Sequence, residues 1–101
     1  MKIHFERSGG FAGIRTELTL DTDSLPTTEA YNLQRMVENS KFFDMPAKLL
    51  QPIKGADYFQ YKITVEKDGQ KHTVEAAELT MKPELKPFVD FLSRALMKKH
   101  R

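Results

Sequence analysis

Tyr58-Phe59-Gln60-Tyr61-Lys62-Ile63-Thr64-Val65-Glu66-Lys67-Asp68-Gly69-Gln70-Lys71-His72-Thr73-Val74-Glu75-Ala76 reads as a β-hairpin. Residues 58–66 alternate, with Phe59, Tyr61, Ile63 and Val65 on one face. Asp68-Gly69 is a two-residue turn of the kind that suits the right-handed twist of paired strands. That turn sets Val65 opposite His72, Ile63 opposite Val74 and Tyr61 opposite Ala76. Every pair falls on the apolar face, which checks the register independently.

A second hairpin stands at the start of the chain. Residues 2–7 and 13–20 alternate in the same way, so Ile3 and Phe5 share a face with Ile14, Thr16 and Leu18. Two registers keep those faces together: Phe5 opposite Thr16, with a loop over residues 8–13, or Phe5 opposite Ile14, with a loop over 8–11. Both leave Phe11 outside the pairing, flanked by Ser8, Gly9, Gly10, Ala12 and Gly13. A turn needs a glycine or two, not an aromatic at its tip. Phe11 either folds back onto the sheet or is presented to a partner.

Between the hairpins, Asp21-Thr22-Asp23-Ser24-Leu25-Pro26 is a turn-rich connector, and a helix is expected from Pro26 or Thr27 to Asn39. Ala30, Leu33, Met36 and Val37 form its apolar stripe. Phe42-Phe43-Asp44-Met45-Pro46 is apolar enough to pack onto the core, while residues 47–56, with Pro52 and Gly55, are expected to be irregular. A last helix starts near Pro87 and carries Phe88, Val89, Leu92 and Leu96 at helical spacing, with Leu85 in the loose turn before it. The order is ββαββα. The economical way to cover every apolar face is an α+β fold: a four-stranded antiparallel sheet with both helices on one face. The other face carries His4, Glu6, Arg15, Glu17, Gln60, Lys62, Thr64, Thr73 and Glu75 and is wet. The sequence leaves the strand order open.

Residues 1–101 are expected to form a single domain. The chain has no cysteine, which excludes disulfides and thiolate zinc sites. No apolar run is long enough for a membrane span, and the N-terminus enters a strand with no signal peptide expected; the lack of cysteine fits an intracellular chain. The net charge of +2 is uneven: residues 82–101 hold six basic and two acidic residues, a local +4. Cations suit a helix C-terminus, and a basic helix end can also meet phosphate or an acidic protein.

Catalytic constellations are scarce. The histidines are His4, His72 and His100; none forms an i, i+4 pair, and His4 and His72 point to different faces. No catalytic metal and no cofactor are expected. Ser8 follows Arg7 in a strand-to-strand turn, unlike a nucleophile elbow. The glycine-rich stretch opens a strand rather than a helix, so it is a poor phosphate cradle. Nucleic acid is disfavoured, because Phe59 and Tyr61 fall on the core face and Tyr58 alone interrupts a polar face of mixed charge. What remains is binding by a loop. Buried aromatics ringed by close-fitting neighbours are the usual energetic centres of protein interfaces.

The string Lys2-Ile3-His4-Phe5-Glu6-Arg7-Ser8-Gly9-Gly10-Phe11-Ala12-Gly13-Ile14-Arg15 resembles the opening of the emfourin family, small protein inhibitors of thermolysin-like zinc metallopeptidases such as protealysin. Leu25-Pro26, Phe42-Phe43-Asp44-Met45-Pro46 and Gly55-Ala56-Asp57-Tyr58-Phe59-Gln60-Tyr61 are similar in order and spacing. The resemblance implies a cytoplasmic inhibitor of a bacterial metallopeptidase of the protealysin type; with no catalytic constellation in the sequence, a non-enzymatic chain, monomeric when free, is expected. Thermolysin-like enzymes prefer a bulky apolar residue just after the cut bond, so Phe11 is a candidate to fill that pocket. The candidate protease-binding residues are Ser8, Gly9, Gly10, Phe11, Ala12, Gly13, Gly55, Ala56, Asp57 and Tyr58. The second group belongs with the first if the opening strand neighbours the one after residue 58. The alternative is a small protein- or nucleic-acid-binding module that uses the basic last helix.

Overall fold

Five strands and two α-helices are set out in a computed structural model that describes residues 1–9, 15–49, 58–78 and 81–99. The elements are β1 (Lys2–Gly9), β2 (Thr16–Asp21), α1 (Thr27–Ser40), β3 (Lys48–Leu49), β4 (Phe59–Lys67), β5 (Gln70–Ala77) and α2 (Lys86–Lys99). β4 and β5 pair antiparallel in the expected register, with Val65 opposite His72, Ile63 opposite Val74 and Tyr61 opposite Ala76. Asp68 (φ 52°) and Gly69 (φ 77°) supply the two left-handed residues that such a turn requires.

The first hairpin corrects both expected registers. Phe5 pairs with Leu18, Ile3 with Leu20 and Arg7 with Thr16. The observed pairing differs from the expected ones by two and four residues, and even shifts leave the faces unchanged, so the hydrophobic pattern cannot separate them. Two things favour the observed register. It sets Ile3 and Phe5 directly opposite leucines, and it lets the chain start close the far end. The Met1 ammonium donates to Thr22 Oγ1 at 3.1 Å, and the Thr22 N–H donates to the Met1 carbonyl at 2.9 Å. Ile14 lies outside the described residues.

The strand order is β2-β1-β4-β5-β3, so β1 and β4 are antiparallel neighbours. The four long strands form the expected antiparallel sheet. β3 is an addition to it, because residues 48–49 were expected to be irregular: Lys48 and Leu49 pair in parallel with Glu75 and Ala76. Two residues are too few to show an alternation, yet they cover part of the edge that β5 would otherwise expose.

α1 begins after Pro26 and ends at Lys41, whose left-handed backbone (φ 54°) directs its N–H at the Val37 and Glu38 carbonyls. A 3₁₀ turn, Phe42–Asp44, then lowers Phe42 into the interior, with Met45 also buried. α2 begins at Lys86, one residue before the expected Pro87. Leu33 and Val37 of α1 join Phe88, Val89, Leu92 and Leu96 of α2 in one core with Ile3, Phe5, Leu18, Tyr61, Ile63, Val65, Val74 and Ala76 of the sheet. Both helices therefore cover the odd-numbered face of β1, as expected. Each such large side chain contributes about 1.5–3 kcal/mol on burial. Among the described residues, no helix is long and apolar enough to cross a membrane.

Candidate functional site

The antiparallel pairing of β1 with β4 brings the end of one strand to the start of the other. Ser8 lies opposite Gln60 and Gly9 opposite Phe59. Gly9 has φ +84°, and a Cβ at that position would stand 2.7 Å from the carbonyl oxygen of Tyr58. Both facts require glycine: the left-handed angle is strained for other residues, and the neighbour in the way is backbone, which cannot rotate aside. Gly9 of one candidate group thus approaches Tyr58 of the other closely.

Side chains buttress this end. The Arg7 guanidinium lies 4.6 Å from the centre of the Phe59 ring, a cation–π contact worth about 0.5–1 kcal/mol when partly exposed. Phe59 leans on Tyr61 (6.4 Å between ring centres), and Tyr61 stacks on Phe5 (5.8 Å). Glu78 closes the far side: its N–H donates to the Phe59 carbonyl at 2.9 Å, and its carboxylate accepts from the Phe59 N–H at 3.4 Å. Burial pushes the Tyr61 phenol above its usual value; the nearby Glu78 charge adds to this and Arg7 opposes it.

Of the candidate residues, the structure brings together Ser8, Gly9 and Tyr58, all partly buried. Gly10, Phe11, Ala12 and Gly13, and likewise Gly55, Ala56 and Asp57, lie outside the described residues. Arg7, Phe59 and Glu78 were not among the candidates. Arg7 had a readable signal: it continues the Ile3, Phe5 face, where a cation is out of place unless something at the sheet end receives it. Glu78 had one too: the β4–β5 register read from Asp68-Gly69, carried one pair past Gln60–Ala77, sets it opposite Phe59.

The two described histidines do diverge. His4 lies between Thr19 and Thr64 on the wet face. His72 donates from Nε2 to the Met45 carbonyl at 2.8 Å and meets the Phe42 ring edge-on. The wet face mixes signs along the row Glu17, Glu6, Lys62 and Glu75, as suits a solvated sheet more than a nucleic-acid platform.

The architecture is an α+β scaffold in which Gly9 and Tyr58, one from each candidate group, meet at one end of an antiparallel sheet. The chain belongs to the Emfourin family, whose model matches residues 5–93. The matched region contains both candidate segments. Membership implies a protease inhibitor with a metallopeptidase as its partner. No curated protein and no solved structure matches the chain.

Proposed function

We propose that the chain inhibits a thermolysin-like zinc metallopeptidase of the protealysin type by lodging the segments around Phe11 and Tyr58 in the active-site cleft. The observation that carries this reading is the approach of Gly9 to the Tyr58 carbonyl, which ties the two segments to one end of the sheet. A cleft can be filled from two sides only by segments that start close together. In this reading Phe11 enters the apolar pocket that normally takes the residue after the cut bond. Its small neighbours let the backbone follow it in. Ser8, Gly9, Gly10, Ala12 and Gly13 line one side of the contact, and Gly55, Ala56, Asp57 and Tyr58 the other. Strands β1 and β4 fix Gly9 and Tyr58, the described residues of the two groups, which reduces the ordering cost of association.

The test is inhibition of thermolysin and of protealysin by the purified chain and by Phe11→Ala. The variant is expected to weaken inhibition by more than about 1 kcal/mol, as for a pocket-filling aromatic, with an unchanged melting temperature. A large loss of stability instead assigns Phe11 to the core and overturns the mechanism.

A further inference from the structure

The wet face of the sheet carries a feature unrelated to the two segments. His4 and Glu6 stand two apart on β1, and Glu17 of β2 lies directly across from Glu6. One donor atom from each of the three lies within 4.8 Å of the others. His4 Nε2 is 3.2 Å from Glu6 Oε1, and His4 Nδ1 is 2.9 Å from Thr19 Oγ1. Two like charges placed opposite each other cost an antiparallel pair stability unless a cation lies between them. Arg15 reaches Glu17 at 3.1 Å, but the two side chains are 64% and 43% exposed, so the pair is weak. Lys62 of β4 sits beside Glu6 in register, and Thr64 beside His4.

We propose that His4, Glu6 and Glu17 bind a divalent transition-metal ion, with Zn²⁺ the best match. One imidazole nitrogen and two carboxylate oxygens are donors zinc accepts, leaving a fourth position for water. Calcium and magnesium prefer shells of six or more oxygens and fit less well. Tetrahedral donors at bond lengths of about 2.0–2.1 Å stand roughly 3.3 Å apart. The His4–Glu6 separation already matches this. Glu17 has to swing in by an ångström or so, which its exposed side chain can do after releasing Arg15. The Thr19 hydroxyl would accept from Nδ1–H, turning the Nε2 lone pair toward the ion, in the manner of the outer partners that orient metal-bound histidines. The three ligands stand on a rigid hairpin in the same one-strand-plus-neighbour pattern that makes a sheet a good template. The ion would clamp β1 to β2 one pair inside Arg7–Thr16, the outermost described pair on that side. Its role would be to hold the hairpin.

The proposal stands apart from the inhibitor reading and is tested without a protease. Zn²⁺ alone is titrated calorimetrically into the metal-free full chain, and melting is followed with Zn²⁺ and with EDTA. One ion per chain is expected, with a higher melting temperature because the ion binds only the folded state. His4→Gln and Glu17→Gln should each lower the affinity at least about tenfold and remove the thermal gain, while melting near the parent in EDTA. His72→Gln should bind as the parent does. The proposal is overturned if the parent binds no tighter than His4→Gln, or if binding is lost with His72 instead. Should His4→Gln fail to fold, Glu17→Gln decides alone: undiminished affinity in that variant overturns the site.

Discussion

Gly9 and Gly69 both have positive φ, yet they differ in what surrounds them. At Gly69 nothing lies within 4 Å of an added Cβ; at Gly9 the Tyr58 carbonyl is 2.7 Å away. Gly69→Ala therefore costs only the left-handed angle, about 1–2 kcal/mol. Gly9→Ala adds a clash with backbone and should cost clearly more, with its effect on inhibition exceeding that of Gly69→Ala. Urea titrations of both variants, together with their inhibition constants, check this order. Equal costs would mean that β1 and β4 separate freely at this end. Tyr61 offers a second test at the same scale. Its phenol is held above the ordinary 10.0, first by burial and then by Glu78. The unfolded chain then loses this proton at a lower pH than the folded one. The contribution is fully present below about pH 10 and is lost as the pH rises through the folded value. Tyr61→Phe should show a shallower alkaline fall in melting temperature than the parent; parallel curves would show that Tyr61 contributes nothing to it.

The strands and helices were legible where a local rule fixes them. Asp68-Gly69 dictates a turn, and the turn dictates every β4–β5 pair. The sequence between β1 and β2 does not single out one register, because parity allows several; the observed pairing is closed at the far end by Met1 and Thr22, outside the alternating pattern. β3 escaped for want of length, and the strand order because alternation says nothing about which strands are neighbours. α2 was readable from its stripe, and its far end bears on function. Among the residues of that helix whose burial is described, Leu96 is the last buried one, while Met97 is 63% exposed. Removing residues 98–101 should therefore leave both the melting temperature and protease inhibition nearly unchanged at physiological salt, where exposed charges are screened beyond about 8 Å. A large loss of inhibition would place the basic end in the interface. Salt-dependent nucleic-acid binding that vanishes with those residues would favour the basic-helix reading instead.

At the scale of the whole molecule, the sequence singles out candidate segments but not their spatial relation. Phe11 stood out because an aromatic among glycines has no reason to be in a turn. The link to Tyr58 rested on β1 and β4 being neighbours, a tertiary fact that the topology now supplies. That link bears on the hardest question for an inhibitor that offers a protease an apolar residue: why it is not cut. A segment is cleaved when it can extend along the cleft and leave after hydrolysis. Here both ends of residues 10–14 enter strands of one sheet, and the second segment starts beside the first. In the proposed mechanism, extending either segment along the cleft works against the Gly9–Tyr58 approach and the Arg7–Phe59 contact, so reaching the cutting geometry costs sheet contacts. The expected outcome is an intact chain and a silent enzyme after hours with stoichiometric thermolysin, read by mass spectrometry and residual activity. Weakening the support should change this before it changes the fold: Arg7→Ala is expected to stay folded and to be cut faster than the parent. Rapid cleavage of the parent within residues 8–13, with enzyme activity returning as it proceeds, would make the segment a substrate and end the proposed mechanism.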